Sequence, residues 1–376
     1  MIDVPICGEI VSPVGRSKTS GSVLEGQAIL LASFKPLWVS SHAKADTYRP
    51  MLSSVAKKLR MFLRSELDLS KDRMLAELRQ DIVPNDSRIV ALQNLGWYFE
   101  GDRPFERIVG FGIHFDPVLH AHWIESMPAI ALLIRDCGAT LHLMPDRQIE
   151  IRIGSVRVVP ETCQEFAFLI EVFHQECYCF ESLSPMFVWD IGANVGIASM
   201  YFADVHGWDV AAYELCPPTA DAARRNIHLS ELDSKVQVHS CGIGGKSETM
   251  KISYSGATRG SNGILGNTTW ESIGAVQDLE VQVRDSSEVF DEILRQSNGR
   301  PILAKIDCEG AEYALLERLH ETGKLQSISA VILEAHVHPG LEPGHAVTTL
   351  LKGGFAVRRM RRLTERFQVI YATRLN

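Results

Sequence analysis

The residue types able to do chemistry concentrate after residue 186. A run D-I-G-A-N-V-G occupies 190–196, directly after the apolar Met186-Phe187-Val188-Trp189. An apolar strand that breaks into a glycine turn and then a helix presents bare backbone and helix N-terminal amides to a ligand. Asp190, Gly192, Asn194 and Gly196 are therefore candidates to bind a nucleotide-type molecule. The spacing is not the G-x-G-x-x-G that cradles a pyrophosphate, so a dinucleotide is the weaker fit. Glu214 stands 24 positions after Asp190, at the end of a second apolar run. An acid there can accept both hydroxyls of a ribose. Two further apolar runs end in Asp307 with Glu309 and in Glu334 with His336. Ligands of open α/β sheets bind at such strand ends, so these four groups should meet over one crevice. Crowded there, they must serve a ligand, a cation or one another, because an unpaired buried charge is too costly.

The elements that position these residues alternate in the manner of α/β winding from about residue 166 onward. Strands are predicted at 186–191, 209–213, 236–239, 250–254, 302–306 and 329–333, with helices at 197–205, 219–229, 313–319 and 345–352. The third strand leads into a turn at Ser240 and Cys241, and a hairpin of 355–360 with 366–373 closes the chain. A polar, glycine-rich excursion over 255–274 reads as a loop over the site, which makes Arg259 and Asn262 candidates to touch a substrate. The six arginines at 358, 359, 361, 362, 366 and 374 read as a solvated strand surface.

The first part of the chain is less clearly punctuated. Two amphipathic helices are expected at 50–67 and 71–82, ending before Pro84. A strand at 107–115, a helix at 117–137 closed by Gly138 and a strand at 140–144 suggest one βαβ unit. The division predicts an additional N-terminal mixed α/β domain over 1–165, for substrate recognition or dimerisation, and a catalytic domain over 166–376. Inside the first domain, His114, Asp116, His120, His122 and Glu125 invite a metal reading. On a helix, residues two apart diverge by roughly 200° and cannot share an ion, so His120 and His122 read as helix-start residues beside a packed Trp123. No metal is assigned, although several carboxylates of the later crevice could hold a divalent cation.

Composition narrows the classes further. The chain has 376 residues, 45% hydrophobic and 22% charged, with a formal net charge of -8. That is an ordinary globular balance, which excludes a fibrous or disordered chain and argues against nucleic acid as the partner. No apolar run approaches the roughly 18 residues of a membrane helix, and the start M-I-D-V-P lacks a signal-peptide pattern. The eight cysteines are scattered, with no C-x-x-C pair, so reduced thiols and a cytoplasmic location are expected.

Residues from about 166 to 372 resemble the FkbM-type S-adenosylmethionine-dependent methyltransferases. The matching runs, in the family's order, are D-I-G-A-N-V-G at 190–196, Y-E-L-C-P at 213–217, R-N-I at 225–227, K-I-D-C-E-G-A-E at 305–312 and E-A-H at 334–336. Two departures stand out: L-C-P-P follows Glu214 where the family has E-P-x-P, and V-R-D-S at 283–286 replaces a usual T-L-D, with Asp285 in the aspartate's place. The resemblance implies an α/β, Rossmann-like class I methyltransferase sheet of seven strands, the last antiparallel. It also implies S-adenosyl-L-methionine as cofactor, and methyl transfer to a hydroxyl of a sugar, polyketide or other small natural product. By position in that fold, Asp190, Gly192, Asn194 and Gly196 fall to the methionine and ribose side, Glu214 to the ribose hydroxyls, and Ser240 with Cys241 to the adenine edge. An alcohol loses a proton as it attacks; His336 is the first candidate base, since its ordinary pKa lies near neutrality, and Glu309 the second. Asp307, the third catalytic candidate, and Glu309 could orient the acceptor, help hold the donor amine or cap the helix at Gly310, and Glu334, Arg259 and Asn262 are expected to bind the substrate.

Three other readings compete. The patch H-W-I-E-S-M-P at 122–128 resembles, one residue short, the H-W-x-x-E-x-x-P of nucleotide-sugar glycosyltransferases, which suggests a bifunctional sugar-modifying protein. A catalytically inactive S-adenosylmethionine-binding module is a second. A homodimer built through the first domain is the third.

Overall fold

The computed structural model describes residues 119–182, 184–263, 276–362 and 366–375, together with three short strands before them. The helices expected at 50–67 and 71–82, and residues 264–274 of the expected loop, lie outside the described residues. Strands β1 (Tyr98–Phe99), β2 (Ile108–Gly110) and β3 (Ile113–His114) form an antiparallel ladder. Helices α1 (Ala121–Glu125) and α2 (Met127–Cys137) follow, and Gly138 ends α2 in the left-handed conformation, as its position predicts. Strands β4 (Thr140–Leu143), β5 (Ile149–Ile153) and β6 (Val156–Val158) make a second antiparallel sheet.

The βαβ unit expected over 107–144 is therefore corrected. β3 and β4 belong to different sheets, because β4 finds its partner locally rather than across a helix. Met144 N donates to Gln148 O at 2.8 Å to turn the chain into β5, and Gly154-Ser155 joins β5 to β6 as a two-residue hairpin. Helix α3 (Cys163–Leu169) then runs into a wider π turn, Ile170–His174.

The second half follows the predicted alternation closely. Its elements begin with β7 (Phe187–Ile191), α4 (Ile197–Val205), β8 (Asp209–Tyr213), α5 (Pro217–Leu229) and β9 (Val236–His239). Strands β10 (Gly242–Gly244), β11 (Glu248–Ser255) and β12 (Val276–Asp285) form a small separate sheet, of which β10 and β12, like the helix Ser286–Ser297 that follows, have no counterpart in the sequence reading. Then come α6 (Ser286–Ser297), β13 (Ile302–Ile306), α7 (Glu312–Glu321), β14 (Ala330–His336) and α8 (Pro343–Lys352). Strands β15 (Phe355–Arg362) and β16 (Phe367–Arg374) complete the fold.

Seven strands make the main sheet in the order β9-β8-β7-β13-β14-β16-β15. The pairs from β9 to β14 are parallel, and the last strand, β16, is antiparallel to both of its neighbours. This is the seven-stranded, Rossmann-like sheet that the resemblance implied. Strand alternation sends Val188, Val210, Ala212, Leu303 and Ile332 into one core. The other face sends Phe187, Trp189, Ile191, Ala211, Ala304 and Leu333 into a second core, against α6, α7 and α8. With both faces covered, the central strands read as continuous apolar runs, which is why the sequence exposes them so plainly.

The described part of the first half packs on the first of these cores. Trp123, Ile130, Leu133, Ile151, Val158 and Phe166 share it with Met200, Phe202 and Ala223 of α4 and α5. Polar contacts reinforce the joint: Asn226 Oδ1 accepts from Val159 N at 3.2 Å, and Ser230 Oγ accepts from Arg157 N at 2.8 Å. Among the described residues no helix is long and apolar enough to cross a membrane.

A shared core has a measurable consequence. Trp123 is fully buried and meets Phe166 edge-on at 4.8 Å, so Trp123→Ala should cost about 3–5 kcal/mol. Urea unfolding should show a single transition at lower denaturant by both tryptophan fluorescence and far-ultraviolet circular dichroism. Two separated transitions would mean that 119–180 unfold independently.

Candidate active site

Strand order reverses between β7 and β13, and both run in the same direction. Their following turns leave on opposite faces and open a crevice at the carboxyl ends. Lys305 faces Asp190 directly across this pair. Its Nζ lies 3.1 Å from Asp190 Oδ1 and 3.6 Å from Asp307 Oδ2, and donates to the backbone oxygen of Gly192 at 2.7 Å. Burial by itself would lower the ammonium's pKa, but Asp190 and Asp307 outweigh it and hold Lys305 charged, well above its ordinary range. Asp190 is fully buried and also accepts from Ser199 Oγ at 2.5 Å. Its side chain thus organises the turn from behind.

The glycine turn has a cause within the fold that the sequence does not show. A Cβ on Gly192, at φ +80°, would lie 1.7 Å from the backbone oxygen of Asp307. The approach of the β13–α7 turn by itself demands glycine there. Gly196, at φ +85°, faces Ala223 of α5. Asn194 holds a left-handed φ of 51°. Glu214, at the end of β8, accepts from the backbone N–H of Asn194 at 2.8 Å and of Cys216 at 3.0 Å. A carboxylate has about four acceptor positions, so both oxygens keep capacity for further donors. Burial pushes this carboxyl up to about 7. Nearby, the buried Asn194 Oδ1 and Ser240 Oγ have no hydrogen-bond partner, while Cys241 is half-buried and its thiol is pushed up by burial. A crevice with a doubly anchored acid and unmatched polar atoms fits the polar edge of a nucleoside.

The carboxyl ends of β13 and β14 bring Asp307, Glu309, Glu334 and His336 together, as the strand assignment predicts. His336 is buried; Nδ1 lies 3.0 Å from Glu312 Oε1, and Nε2 lies 3.4 Å from Glu334 Oε1 and 3.6 Å from Glu309 Oε1. Burial would lower the imidazole's pKa, yet Glu309, Glu312 and Glu334 together raise it well above its ordinary value. The three acids thus favour the charged form of the ring. Burial pushes the Glu309 carboxyl up to about 8, and its buried Oε2 has no partner. Asp307 accepts from Tyr178 Oη at 3.2 Å. Asp307, Glu334 and His336 each place a ligating atom within 4.8 Å of the others, a spacing that a divalent cation accepts. Lys305 and His336 already bring positive charge to the same carboxylates.

Arg259 and Asn262 are engaged elsewhere. Arg259 pairs with Glu165, at 3.2 Å, and with Glu161. Asn262 bonds backbone groups of Ser255, Thr258 and Arg259. His120 and His122 each bond a backbone oxygen, of Arg147 and Pro160, both at 2.8 Å, in agreement with a packed helix start. Four residues of the crevice have no role in the sequence reading: Lys305, Glu312, Tyr178 and Glu171. The first two lie within K-I-D-C-E-G-A-E, where the signal was present. Tyr178 and Glu171 lie in a stretch without pattern; burial, with Glu334 and Asp307 facing it, raises the Glu171 carboxyl well above its usual range.

Sheet order defines the class, a Rossmann-like sheet of the methyltransferase type with a crevice at the β7/β13 reversal. Residues 190–363 match the family described as Methyltransferase FkbM domain, and this stretch of the chain is a methyltransferase domain of that family, with S-adenosylmethionine as its cofactor. The chain is also similar to the methyltransferase sdnD of Sordaria araneosa, with 26% identity over 232 residues, 54% of this chain and 88% of that protein. Among solved structures, it is similar to a human methyltransferase 10 domain containing protein, at 12% identity and a TM-score of 0.34, over 67% of this chain and 98% of that one. It is likewise similar to a protein in the NADB-Rossmann superfamily from Streptococcus agalactiae, at 14% identity and a TM-score of 0.30. That similarity covers 52% of this chain and 66%, just under two thirds, of the other. At these TM-scores the structural likenesses carry no argument about this chain.

The Lys305 cluster can be tested by removing its cation. Lys305→Met leaves Asp190 and Asp307 facing each other without compensation, a loss of about 3–5 kcal/mol. Asp190→Asn in the same chain should return part of that stability in urea unfolding, and additive losses would argue against the pairing.

Proposed function

We propose that the protein is an S-adenosylmethionine-dependent O-methyltransferase acting on a hydroxyl of a small molecule, of the sugar, polyketide or other natural-product kind. The observation that carries this reading is the convergence, at the ends of four adjacent parallel strands, of an anchored acid on the donor side and a cluster of acids around a cation on the other. Bound there, the cofactor supplies an electrophilic methyl group on a sulfonium. Glu214 would receive the ribose hydroxyls on its remaining acceptor positions, Asn194 would line the donor turn that Asp190, Gly192 and Gly196 shape, and Ser240 with Cys241 would meet the adenine edge. The wall formed by α3 and residues 255–263 keeps water from the crevice.

On the acceptor side, the base is Glu309 rather than His336. A ring that three acids pull toward its charged form is a poor proton acceptor, whereas Glu309 has an unpartnered carboxylate oxygen and a raised pKa suited to the task. The ionised Glu309 would take the proton that the acceptor hydroxyl loses on being methylated, so that the products are a methyl ether, S-adenosylhomocysteine and a neutral Glu309 carboxyl. His336 and Lys305 would balance the charge of Glu309 before it takes that proton, and Asp307 with Glu334 would orient the acceptor. A small acceptor, rather than a phosphate-backbone polymer, agrees with an acidic crevice in a chain of net charge -8. Residues 1–165 would contribute acceptor recognition or a dimer contact, in a soluble cytoplasmic enzyme.

Calorimetric titration with S-adenosylmethionine and S-adenosylhomocysteine tests the donor site. Glu214→Gln should weaken both by about 10- to 100-fold, the scale of lost charged hydrogen bonds. No binding by the native chain would sink the proposal. Labelled methyl transfer to a panel of hydroxylated acceptors tests the chemistry: the rate should rise with pH and level above about 8, where Glu309 is ionised. Glu309→Gln should remove that limb and cost on the order of 10²- to 10⁴-fold. Stability moves the opposite way. A carboxyl raised from 4.5 to about 8 favours folding fully below pH 4.5, and that contribution is lost as pH rises through 8. Glu309→Gln should therefore gain melting temperature relative to the native chain as pH increases.

A further inference from the structure

Residues 255–263 are fastened at three places. At the first, Arg259 reaches the amino end of α3, with Nη1 3.2 Å from Glu165 Oε1 and Nη2 bonded to Glu161. Glu165 is 1% exposed, so the pair is shielded from solvent, where a broken partner is costly. Glu161 also bonds Arg225 of α5, and Gln164 Oε1 accepts from Gly260 N at 3.1 Å. At the second, Asn262 ties the segment into a closed loop: its Oδ1 accepts from Ser255 N at 2.9 Å, and its Nδ2 donates to Ser255 O at 3.0 Å. At the third, the segment presses on the crevice itself. A Cβ on Gly260 would lie 2.4 Å from Phe168 Cζ and 3.3 Å from Asn194 Nδ2, and one on Gly263 would lie 2.1 Å from the backbone oxygen of Glu309.

The third contact falls on a strained residue. Glu309 holds φ 47°, a left-handed conformation that strains a side-chain-bearing residue and persists only where its surroundings enforce it. The backbone of Gly263 lies directly against it. We propose that Arg259 is a positioning residue: through the strap 255–263 it holds Glu309 in its strained conformation at the acceptor side, making transfer depend on α3 of the first half. This inference rests on the reading of Glu309 as the base. It replaces the expected substrate contact of Arg259 with an indirect role.

The test uses the full chain carrying Arg259→Ala, Arg259→Lys or Gly263→Ala. Hydrogen exchange of peptides covering 255–263 and 307–312 reads the strap without reference to activity. Arg259→Ala should speed exchange in both, and labelled transfer should fall on the order of 10- to 100-fold, the scale of a misplaced group. The pH limb should also move downward, because a loosened Glu309 regains solvent and so loses the burial that raises it most, together with the push of Asp307, Glu334 and Glu312, which with burial outweighs the opposing pull of His336. Arg259→Lys should restore part of each effect. Gly263→Ala leaves the clasp with Glu161 and Glu165 intact but displaces the strap at Glu309, and should shift the same limb even if Arg259→Ala fails to fold. Faster exchange confined to 255–263, with an unmoved pH limb in both variants, would overturn the proposal. So would lost transfer with unchanged exchange, the mark of a direct acceptor contact. Absence of donor binding by the native chain would instead strike the proposed reaction, leaving the exchange result to decide whether the strap is held by Arg259.

Discussion

A buried ammonium at the reversal of strand order ties the two halves of the crevice together. Asp190 ends β7 and Asp307 follows β13, so neighbouring parallel strands deliver two carboxylates to the same small volume. Lys305 stands between them and also binds the Gly192 carbonyl. Removing its charge would leave the fully buried Asp190 and the partly exposed Asp307 facing each other with no cation between them. With it, the donor turn and the acceptor turn become one unit. They approach so closely that Gly192 has no room for a side chain.

The same economy of charge governs the acceptor side. Glu309, Glu312 and Glu334 surround one imidazole; the ring lowers all three, while Glu334 and Glu312 both raise Glu309. The outcome is asymmetric. Glu312 bonds both the ring and the backbone N–H of His336 and is held below the usual carboxylate range despite its burial. Glu309 makes no comparable set of bonds and is raised. Environment, rather than residue type, thus separates a structural acid from one suited to moving a proton.

The methyltransferase sheet also leans on chain that lies before the matched region. Tyr178 donates to Asp307 from one side, and the adjacent backbone receives Tyr371 Oη of β16 at Cys177 O, at 2.6 Å. Arg361 of β15 donates to Gln175 O at 3.3 Å. Helix α3 meets both the strap and the core beneath α4 and α5. Packing therefore runs without a break past residue 165, where the change of sequence texture falls, because the same hydrophobic face of the sheet is covered from both sides of that position.

By itself the sequence determined the alternation of the second half, the strand ends that carry acids, and the family of the catalytic stretch. Fully buried parallel strands leave apolar runs too plain to miss, and 197–205, 209–213, 236–239 and 302–306 appear with the bounds predicted for them. Local pairing was harder to read. The hairpin of β5 and β6 is visible as I-E-I-R-I and V-R-V about Gly154-Ser155, but an apolar strand–helix–strand pattern beside it suggested a crossover instead. Strand β12 reads as polar because much of it is exposed. Only the tertiary structure decided the electrostatic surroundings and partners. That three acids pull His336 toward its charged form, that Arg259 answers to Glu161 and Glu165, 98 and 94 positions away, and that Gly192 yields to a backbone carbonyl all depend on distances between segments remote in sequence. Residue type and spacing can say which groups arrive at a strand end; the field and the free volume they find there are set by what packs against them.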